Sequence, residues 1–164
     1  MTWPVVYVTA VLVANYTAVW FIPLPMFGLV AVGTMVFGAT FTARDYVHRL
    51  GRWRVYVMIG IAALASVALA VTGPVDWRVV AASVLAIVGS ETADTEVYQR
   101  LLGRPWLMRV SGSNAVSIPL DSLLFNLIAF AGVFPWSVLA AIVIGEIVVK
   151  FLFGFVVALW RSLS

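Results

Sequence analysis

The sequence predicts an all-α, polytopic membrane protein, a bundle of six transmembrane helices with both termini in the cytoplasm. Three observations carry this prediction: the composition, the lengths of the apolar segments and the placement of the basic residues. Hydrophobic residues make up 63% of the 164 residues, charged residues only 10%, and the mean hydropathy is +1.08. Soluble domains contain about 25% charged residues. The composition excludes a soluble globular domain, a disordered chain and, despite a pI of 9.7, a protein that binds nucleic acid.

The predicted spans follow from length. A transmembrane helix needs about 20 mostly apolar residues to cross a hydrocarbon core of roughly 30 Å. Six segments of about this length lie between breaks that contain charged residues, Gly or Pro. They cover residues 3–22, 26–44, 54–72, 79–100, 113–133 and 136–160. Few residues remain outside them, so the sequence predicts a single integral membrane domain over residues 1–164.

Basic residues lie in alternate connections between the spans, and this asymmetry predicts the orientation because short cytoplasmic loops are enriched in Lys and Arg. The connections on the opposite side contain only Arg78. With an even number of spans, both termini are then expected in the cytoplasm. The predicted cytoplasmic arginines are Arg44, Arg49, Arg52, Arg54, Arg100, Arg104, Arg109 and Arg161.

The first span carries a stripe of small residues, Ala10, Ala14 and Ala18, beside Asn15. Small residues at every fourth position let a second helix approach closely. The stripe is therefore either an internal packing surface or a docking surface for a second protein.

The fourth, fifth and sixth spans contain ionisable residues, which are costly in a bilayer and indicate a functional site by default. Glu91, Asp121 and Lys150 each lie roughly 14–15 Å from the predicted cytoplasmic face, near the bilayer midplane. Asp94 shares a helix face with Glu91, and Asn114 shares one with Asp121. Secondary transporters bind their substrates at this depth.

Two further positions extend this set. Phe125 continues the helix face of Asp121 and is a candidate to stack on a planar ligand. Glu146 precedes Lys150 by one helical turn, a spacing that permits an ion pair. The pair is compatible with charge compensation inside the bundle and equally with a role in binding or coupling.

Several chemistries are excluded by residue counts. The chain has no cysteine and a single histidine, His48, so it offers no thiolate, disulfide or multi-histidine metal site. Lys150 is the only lysine, and because Phe151 follows it, no phosphate-binding G-x-x-x-x-G-K-[ST] loop exists. We expect neither enzymatic activity nor a cofactor, and any energy must come from an ion gradient or from a partner.

The motifs resemble those of the VUT family of vitamin uptake transporters. The stretch from Phe41 through Arg44-Asp45 to Gly51-Arg52 is similar to a family signature at the end of the second span. The runs Ser90–Tyr98 and Ser113–Phe125, which contain S-E-x-x-D-x-x-V-Y and S-N followed by D-S-x-x-F, resemble two further family segments. Lys150, preceded by Gly145, is similar to the lysine of the family's last span.

The resemblance implies import of 7-deazaguanine precursors of queuosine, such as 7-cyano-7-deazaguanine, across the inner membrane. It implies a six-helix transporter in the lipid bilayer. Carried over by position, the implied functional residues are Arg44, Asp45, Glu91, Asp94, Asn114, Asp121 and Lys150.

Roles within this set are predicted as follows. Substrate binding is assigned to Glu91, Asp94, Asn114, Asp121, Phe125 and Lys150, because carboxylates accept from the N–H edge of a guanine and amino or amide groups donate to its O6. Coupling or gating is assigned to Arg44, Asp45 and Glu146.

Two alternatives stay open at this point. The chain is either a self-sufficient transporter, in which Asp94 or Glu146 exchanges a proton, or the substrate-binding membrane subunit of an energy-coupling-factor type transporter that works with an ATPase module. A purely structural membrane protein is a third reading, in which the buried charges only pair with each other. A homodimer is compatible with so small a bundle.

Overall fold

The computed structural model describes residues 2–25, 28–73 and 75–163, and the side chains of these except at 38, 39, 41, 42, 45 and 157–163. Within them the chain is mostly helical. The six helices of this part of the chain are α1 (Thr2–Tyr16), α2 (Val32–His48), α3 (Arg52–Val71), α4 (Trp77–Arg100), α5 (Trp106–Phe130) and α6 (Trp136–Leu163).

The all-α prediction is confirmed in that most of the described chain is helical, but a short β-hairpin between α1 and α2 was not predicted. Strands β1 (Phe21–Leu24) and β2 (Gly28–Ala31) pair antiparallel, with Phe21 opposite Ala31. The first span was expected to be helical to residue 22, but α1 ends at Tyr16. Pro23 and Pro25 lack a backbone N–H and disfavour helical geometry in the residue before them, which favours the extended backbone of β1 over a helix at residues 21–24.

Among the described residues, three helices are long and apolar enough to cross a membrane by length and composition: Arg52–Val71, Trp106–Phe130 and Trp136–Val156. Helix α1 is apolar but shorter, α2 has 17 residues, and α4 carries three acidic residues. Helix α5 begins seven residues before the predicted start of the fifth span, at Trp106. The count of six spans and the cytoplasmic position of both termini remain predictions.

Close packing of α1 against α2 accounts for the small residues of the first helix. Ala10, Ala14 and Ala18 are all buried inside the chain. At the start of α2, a Cβ atom on Gly33 would lie only 2.4 Å from the carbonyl oxygen of Ala14, so only glycine fits there. The alanine stripe is therefore an internal packing surface in this structure.

The hairpin packs where α5 ends and α6 begins. The ring of Phe21 makes edge contacts with Phe130 and Phe134, with ring centroids 5.6 Å apart in each pair. At the same end of the bundle, the Arg78 guanidinium donates hydrogen bonds to the carbonyl oxygens of Ile128 and Ala131. A cation that satisfies the last carbonyls of a helix also complements its dipole, so Arg78 caps α5.

Candidate functional site

A cavity lies between the C-terminal end of α1, the hairpin, and helices α2, α4, α5 and α6. It encloses about 400 Å³ of atom-free space, which includes the open space at its mouth. Small side chains form much of the wall, while two aromatic rings and several polar groups supply its chemistry. The aromatic and polar lining residues are Phe37, Phe125, Asn15, Thr34, Ser83, Asp121, Glu146 and Lys150.

Lys150 is the centre of the polar wall. Its Nζ donates to Asp121 Oδ2 at 2.8 Å and to Ser122 Oγ at 2.8 Å, and it lies 3.4 Å from Glu146 Oε2. The ammonium is also 5.5 Å from the centroid of the Phe37 ring. One lysine thus holds two buried carboxylates from α5 and α6, and the formal charge of the group is −1.

Some hydrogen-bond acceptors around Lys150 contact two donors, and others contact none among the described residues. Asn126 Nδ2 donates to Glu146 Oε2 at 3.0 Å and to the Ser122 carbonyl oxygen at 2.9 Å, which fixes the orientation of the amide. Glu146 Oε1 and Asn126 Oδ1 are buried without a hydrogen-bond partner among the described residues. Asp121 accepts from Ser90 Oγ at 3.3 Å in addition to Lys150. Unpaired buried acceptors are costly, so the cavity wall is suited to a ligand that donates hydrogen bonds.

A second buried cluster lies outside the cavity and joins α2, α4 and α5; we call it the arginine network. Arg44 Nη1 lies 3.3 Å from Glu91 Oε1, and Arg44 Nη2 lies 3.1 Å from Asp94 Oδ1. Nη2 also donates to Asn114 Oδ1 at 2.7 Å. Ser117 Oγ donates to Asp94 Oδ1 at 2.9 Å. The guanidinium ties three helices together, because its planar fork supplies several donors in fixed directions.

His48 completes the arginine network at the last residue of α2. Its Nε2 lies 3.3 Å from Asp94 Oδ2, and its ring stacks on Tyr98 with centroids 4.4 Å apart and 16° between the planes. The Arg109 guanidinium lies 5.2 Å from the centroid of the Tyr98 ring. The imidazole is therefore held between a carboxylate and an aromatic ring.

The residues predicted from the sequence thus fall into two groups. Asp121, Phe125 and Lys150 line the cavity together with Glu146, which was predicted to serve coupling. Three further candidates for substrate binding lie in the arginine network instead; they are Glu91, Asp94 and Asn114. The side chain of Asp45 lies outside the described residues.

Some residues of both clusters carry too weak a signal in the sequence. Arg44 was counted among the loop arginines that set the topology and was assigned to coupling or gating only through the family resemblance, yet its side chain is only 1% exposed. His48 entered the sequence analysis only as the single histidine, although it lies one helical turn after Arg44 and therefore on the same face. Likewise Asn126 follows Ser122 by one turn, and this spacing was available evidence that both face the interior.

A helical membrane protein that buries a polar cavity between its helices has the architecture of a membrane transporter. The family model described as "Putative vitamin uptake transporter" matches residues 53–162, and the chain belongs to this family. The chain is also 29% identical to a protein of Bacillus subtilis (strain 168) named "Probable queuosine precursor transporter". That alignment of 159 residues covers 77% of this chain and 68% of the relative. No solved structure matches the chain.

Proposed function

We propose that this transporter imports a 7-deazaguanine precursor of queuosine, such as 7-cyano-7-deazaguanine, across the inner (plasma) membrane. The observation that carries the proposal is the cavity wall, where Lys150 and two carboxylates lie beside Phe37 and Phe125. The name of the Bacillus subtilis relative supports the same substrate class.

The cavity matches the hydrogen-bonding pattern of this ligand. A 7-deazaguanine presents N1–H and an exocyclic amine as adjacent donors and O6 as an acceptor. Glu146 Oε1, which lacks a partner among the described residues, accepts from the donor edge, and Asn15 or Lys150 donates to O6. Phe125 stacks on the ring. A site of this kind discriminates strongly, because an analogue without these groups leaves buried polar atoms unpaired.

The proposal places six spans in the membrane and both termini in the cytoplasm. Helix α1 alone has 15 residues and covers about 22 Å, so the hairpin completes the first crossing. Irregular backbone is tolerated at that depth only where it is buried in protein or lines a cavity, and Ala18 and Ala31 line this cavity. Reporter fusions at residues 50 and 105 should read cytoplasmic, and fusions at 75 and 134 external. A reversed pair would contradict the topology.

Transport is driven by an ion gradient in this proposal. The alanine stripe favoured a subunit that docks on an ATPase module, but Ala10, Ala14 and Ala18 are buried inside the chain and so do not support that alternative. Uptake by cells that express this chain without any energy-coupling-factor ATPase separates the two mechanisms. The mass of the purified protein in detergent tests the predicted homodimer.

Complementation tests the substrate. The chain is expressed in a strain that can neither make nor import 7-deazaguanines, the medium is supplied with 7-cyano-7-deazaguanine, and queuosine is measured in tRNA. Parent chain should restore queuosine, and an empty vector should not. Absence of queuosine with a chain that is present in the membrane would refute the substrate class.

Binding measurements test the site. Glu146→Gln replaces the accepting oxygen with an amide and should weaken binding by about 10- to 150-fold, the loss of one charge-assisted hydrogen bond worth roughly 1.5–3 kcal/mol. Glu91→Gln is the matched control, since Glu91 is an equally buried glutamate that does not line the cavity. Equal affinities of the Glu146→Gln variant and the parent would remove Glu146 from the binding site.

A further inference from the structure

The arginine network lies apart from the cavity along each of the three helices that it joins. On α2, Arg44 follows the last cavity residue, Phe37, by seven positions, or about 10 Å along the helix. On α4 and α5 the network residues are displaced from the cavity residues in the same direction, toward the end of the bundle with Arg49 and Arg52. This is the end that the proposed topology places in the cytoplasm.

The arginine network contains two carboxylates but only one guanidinium group. Glu91 and Asp94 carry two negative charges, and Arg44, which stays protonated in proteins, supplies one positive charge. Counted over Arg44, Glu91, Asp94 and His48 alone, the formal charge is −1 with His48 neutral and zero with His48 protonated. An uncompensated charge inside a membrane protein is costly, so a proton on His48 stabilises the buried network.

The geometry of His48 leaves one position for that proton. A carboxylate can only accept, so Nε2 carries the hydrogen that faces Asp94. In the neutral ring, Nδ1 is then a lone-pair acceptor, and Nδ1 is buried without a hydrogen-bond partner among the described residues. Among the described side chains, the other charged or titratable groups near the ring are Tyr98 from α4, Arg109 from α5, which lies over the Tyr98 ring, and Arg44 on α2 itself.

The route from this site to water is short. His48 is the last residue of α2, and the next three residues, Arg49, Leu50 and Gly51, are exposed. The cavity side of the network, in contrast, is closed by the contacts that Arg44 makes with α4 and α5. A proton released from His48 therefore leaves at the Arg49 end.

We propose that His48 and Asp94 form a proton-binding site, separate from the ligand cavity, that couples import to the proton gradient. A proton that enters from outside binds the Nδ1 lone pair, neutralises the arginine network and is released to cytoplasmic water when access changes. The coupling role rests on the proposed import function, whereas proton binding itself does not.

Proton binding is tested without ligand. His48 is the only histidine of the chain, so one labelled imidazole reports it in the full protein in nanodiscs. Its ¹⁵N shifts should show uptake of a proton on Nδ1 as the pH is lowered, and Asp94→Asn should weaken proton binding at least about tenfold. Glu96→Gln is the control, because Glu96 is on the same helix but pairs with the exposed Arg52. An imidazole that stays neutral, or that is indifferent to Asp94→Asn, overturns the proposal.

Coupling is tested in proteoliposomes with 7-cyano-7-deazaguanine. The variant His48→Gln should retain counterflow exchange within about threefold of the parent, since exchange needs no net proton movement, and should lose at least about tenfold in accumulation driven by a pH gradient. Full accumulation by His48→Gln overturns the coupling role. If the parent itself exchanges no 7-deazaguanine, the proposed substrate fails, and the imidazole titration still decides whether the proton site exists.

Discussion

The two buried clusters have the same formal composition and a different construction. Each contains one permanent cation and two carboxylates. In the arginine network the guanidinium of Arg44 contacts two carboxylates and an amide oxygen on two other helices, and it is not among the residues that line the cavity. In the cavity wall the ammonium of Lys150 holds Asp121 and Glu146, while Glu146 Oε1 has no partner among the described residues.

The difference follows from the two cations. The planar guanidinium of an arginine donates hydrogen bonds in fixed directions, which suits a permanent connection between helices. The ammonium of a lysine is a point charge on a flexible side chain, so it can exchange one hydrogen-bond partner for another. A ligand that enters the cavity can therefore take over one of the lysine's contacts at little cost. The arginine network, in contrast, is suited to hold α2, α4 and α5 together, and in our proposal the only change within it is the binding and release of a proton at His48.

The largest expected effect comes from breaking the arginine network. Arg44→Met leaves Glu91 buried without its cation and Asp94 with only His48 beside it, and should lower the free energy of unfolding by about 3–5 kcal/mol. We expect a strong loss of folded protein and of the thermal midpoint in detergent. Arg52→Met, which removes a cation whose side chain is 54% exposed, is the control and should change little. Equal midpoints for the two variants would contradict the structural role of Arg44.

Removing Lys150 from the cavity wall should lower the free energy of unfolding less than removing Arg44, because water can enter the cavity and solvate the carboxylates. Lys150→Met should destabilise the protein by about half as much as Arg44→Met. Adding Glu146→Gln restores the parent's formal charge and should recover most of the lost stability, while ligand binding stays absent in the double variant. Thermal midpoints and ligand titrations of the single and double variants measure both effects. Full transport by the double variant would remove Lys150 from the binding site.

The same contrast explains what the sequence could predict. The cavity residues Asp121, Glu146 and Lys150 lie in the middle of apolar segments, where any charge is conspicuous, so a window of sequence is enough to find them. Arg44 and His48 lie at a helix end beside other basic residues, where a charge is ordinary. Their burial depends on partners 46 to 70 positions away, and only the packing of α4 and α5 against α2 reveals it.

The hairpin was missed for a different reason. Residues 17–25 and 28–32 are almost wholly apolar, and an apolar run of this length does not distinguish a strand from part of a membrane helix. Pro23 and Pro25 carried the available signal, but prolines also occur within membrane helices. The positions of α3, α4 and α6 were predictable within three residues because charged or Gly/Pro breaks bound them, whereas α2 begins six residues after, and α5 seven residues before, its predicted start.

A smaller effect is expected where α1 meets the cavity. Gly33→Ala places a methyl group against the Ala14 carbonyl oxygen, and because both atoms belong to the backbone or are fixed to it, the two segments must separate. Overpacking of this kind costs about 1–3 kcal/mol. Gly60→Ala, at a position where the added Cβ meets nothing within 4 Å, is the matched control. A thermal midpoint unchanged in Gly33→Ala would show that the close approach is not rigid.

The smallest expected effect is a loss of ligand affinity when an aromatic residue of the cavity is replaced. The aromatic rings of the two clusters differ in their contacts. In the arginine network the ring of Tyr98 already stacks on His48, whereas Phe125 lines the cavity and packs edge-on against Phe130 at 5.9 Å. Phe125→Leu keeps the site apolar but removes the flat face, so it should weaken 7-deazaguanine binding by about 5- to 10-fold, a stacking contribution of roughly 1 kcal/mol.

Phe130→Leu is the matched control for this variant. Phe130 is buried and contacts Phe125 but does not line the cavity, so its replacement should lower the thermal midpoint and leave the affinity within about twofold of the parent. Isothermal titration of both variants with the same ligand, beside their thermal midpoints, separates stacking from packing. Since both changes remove an aromatic ring from the same apolar cluster, equal losses of affinity would mean that Phe125 acts by shaping the wall, and stacking on the ligand would be ruled out.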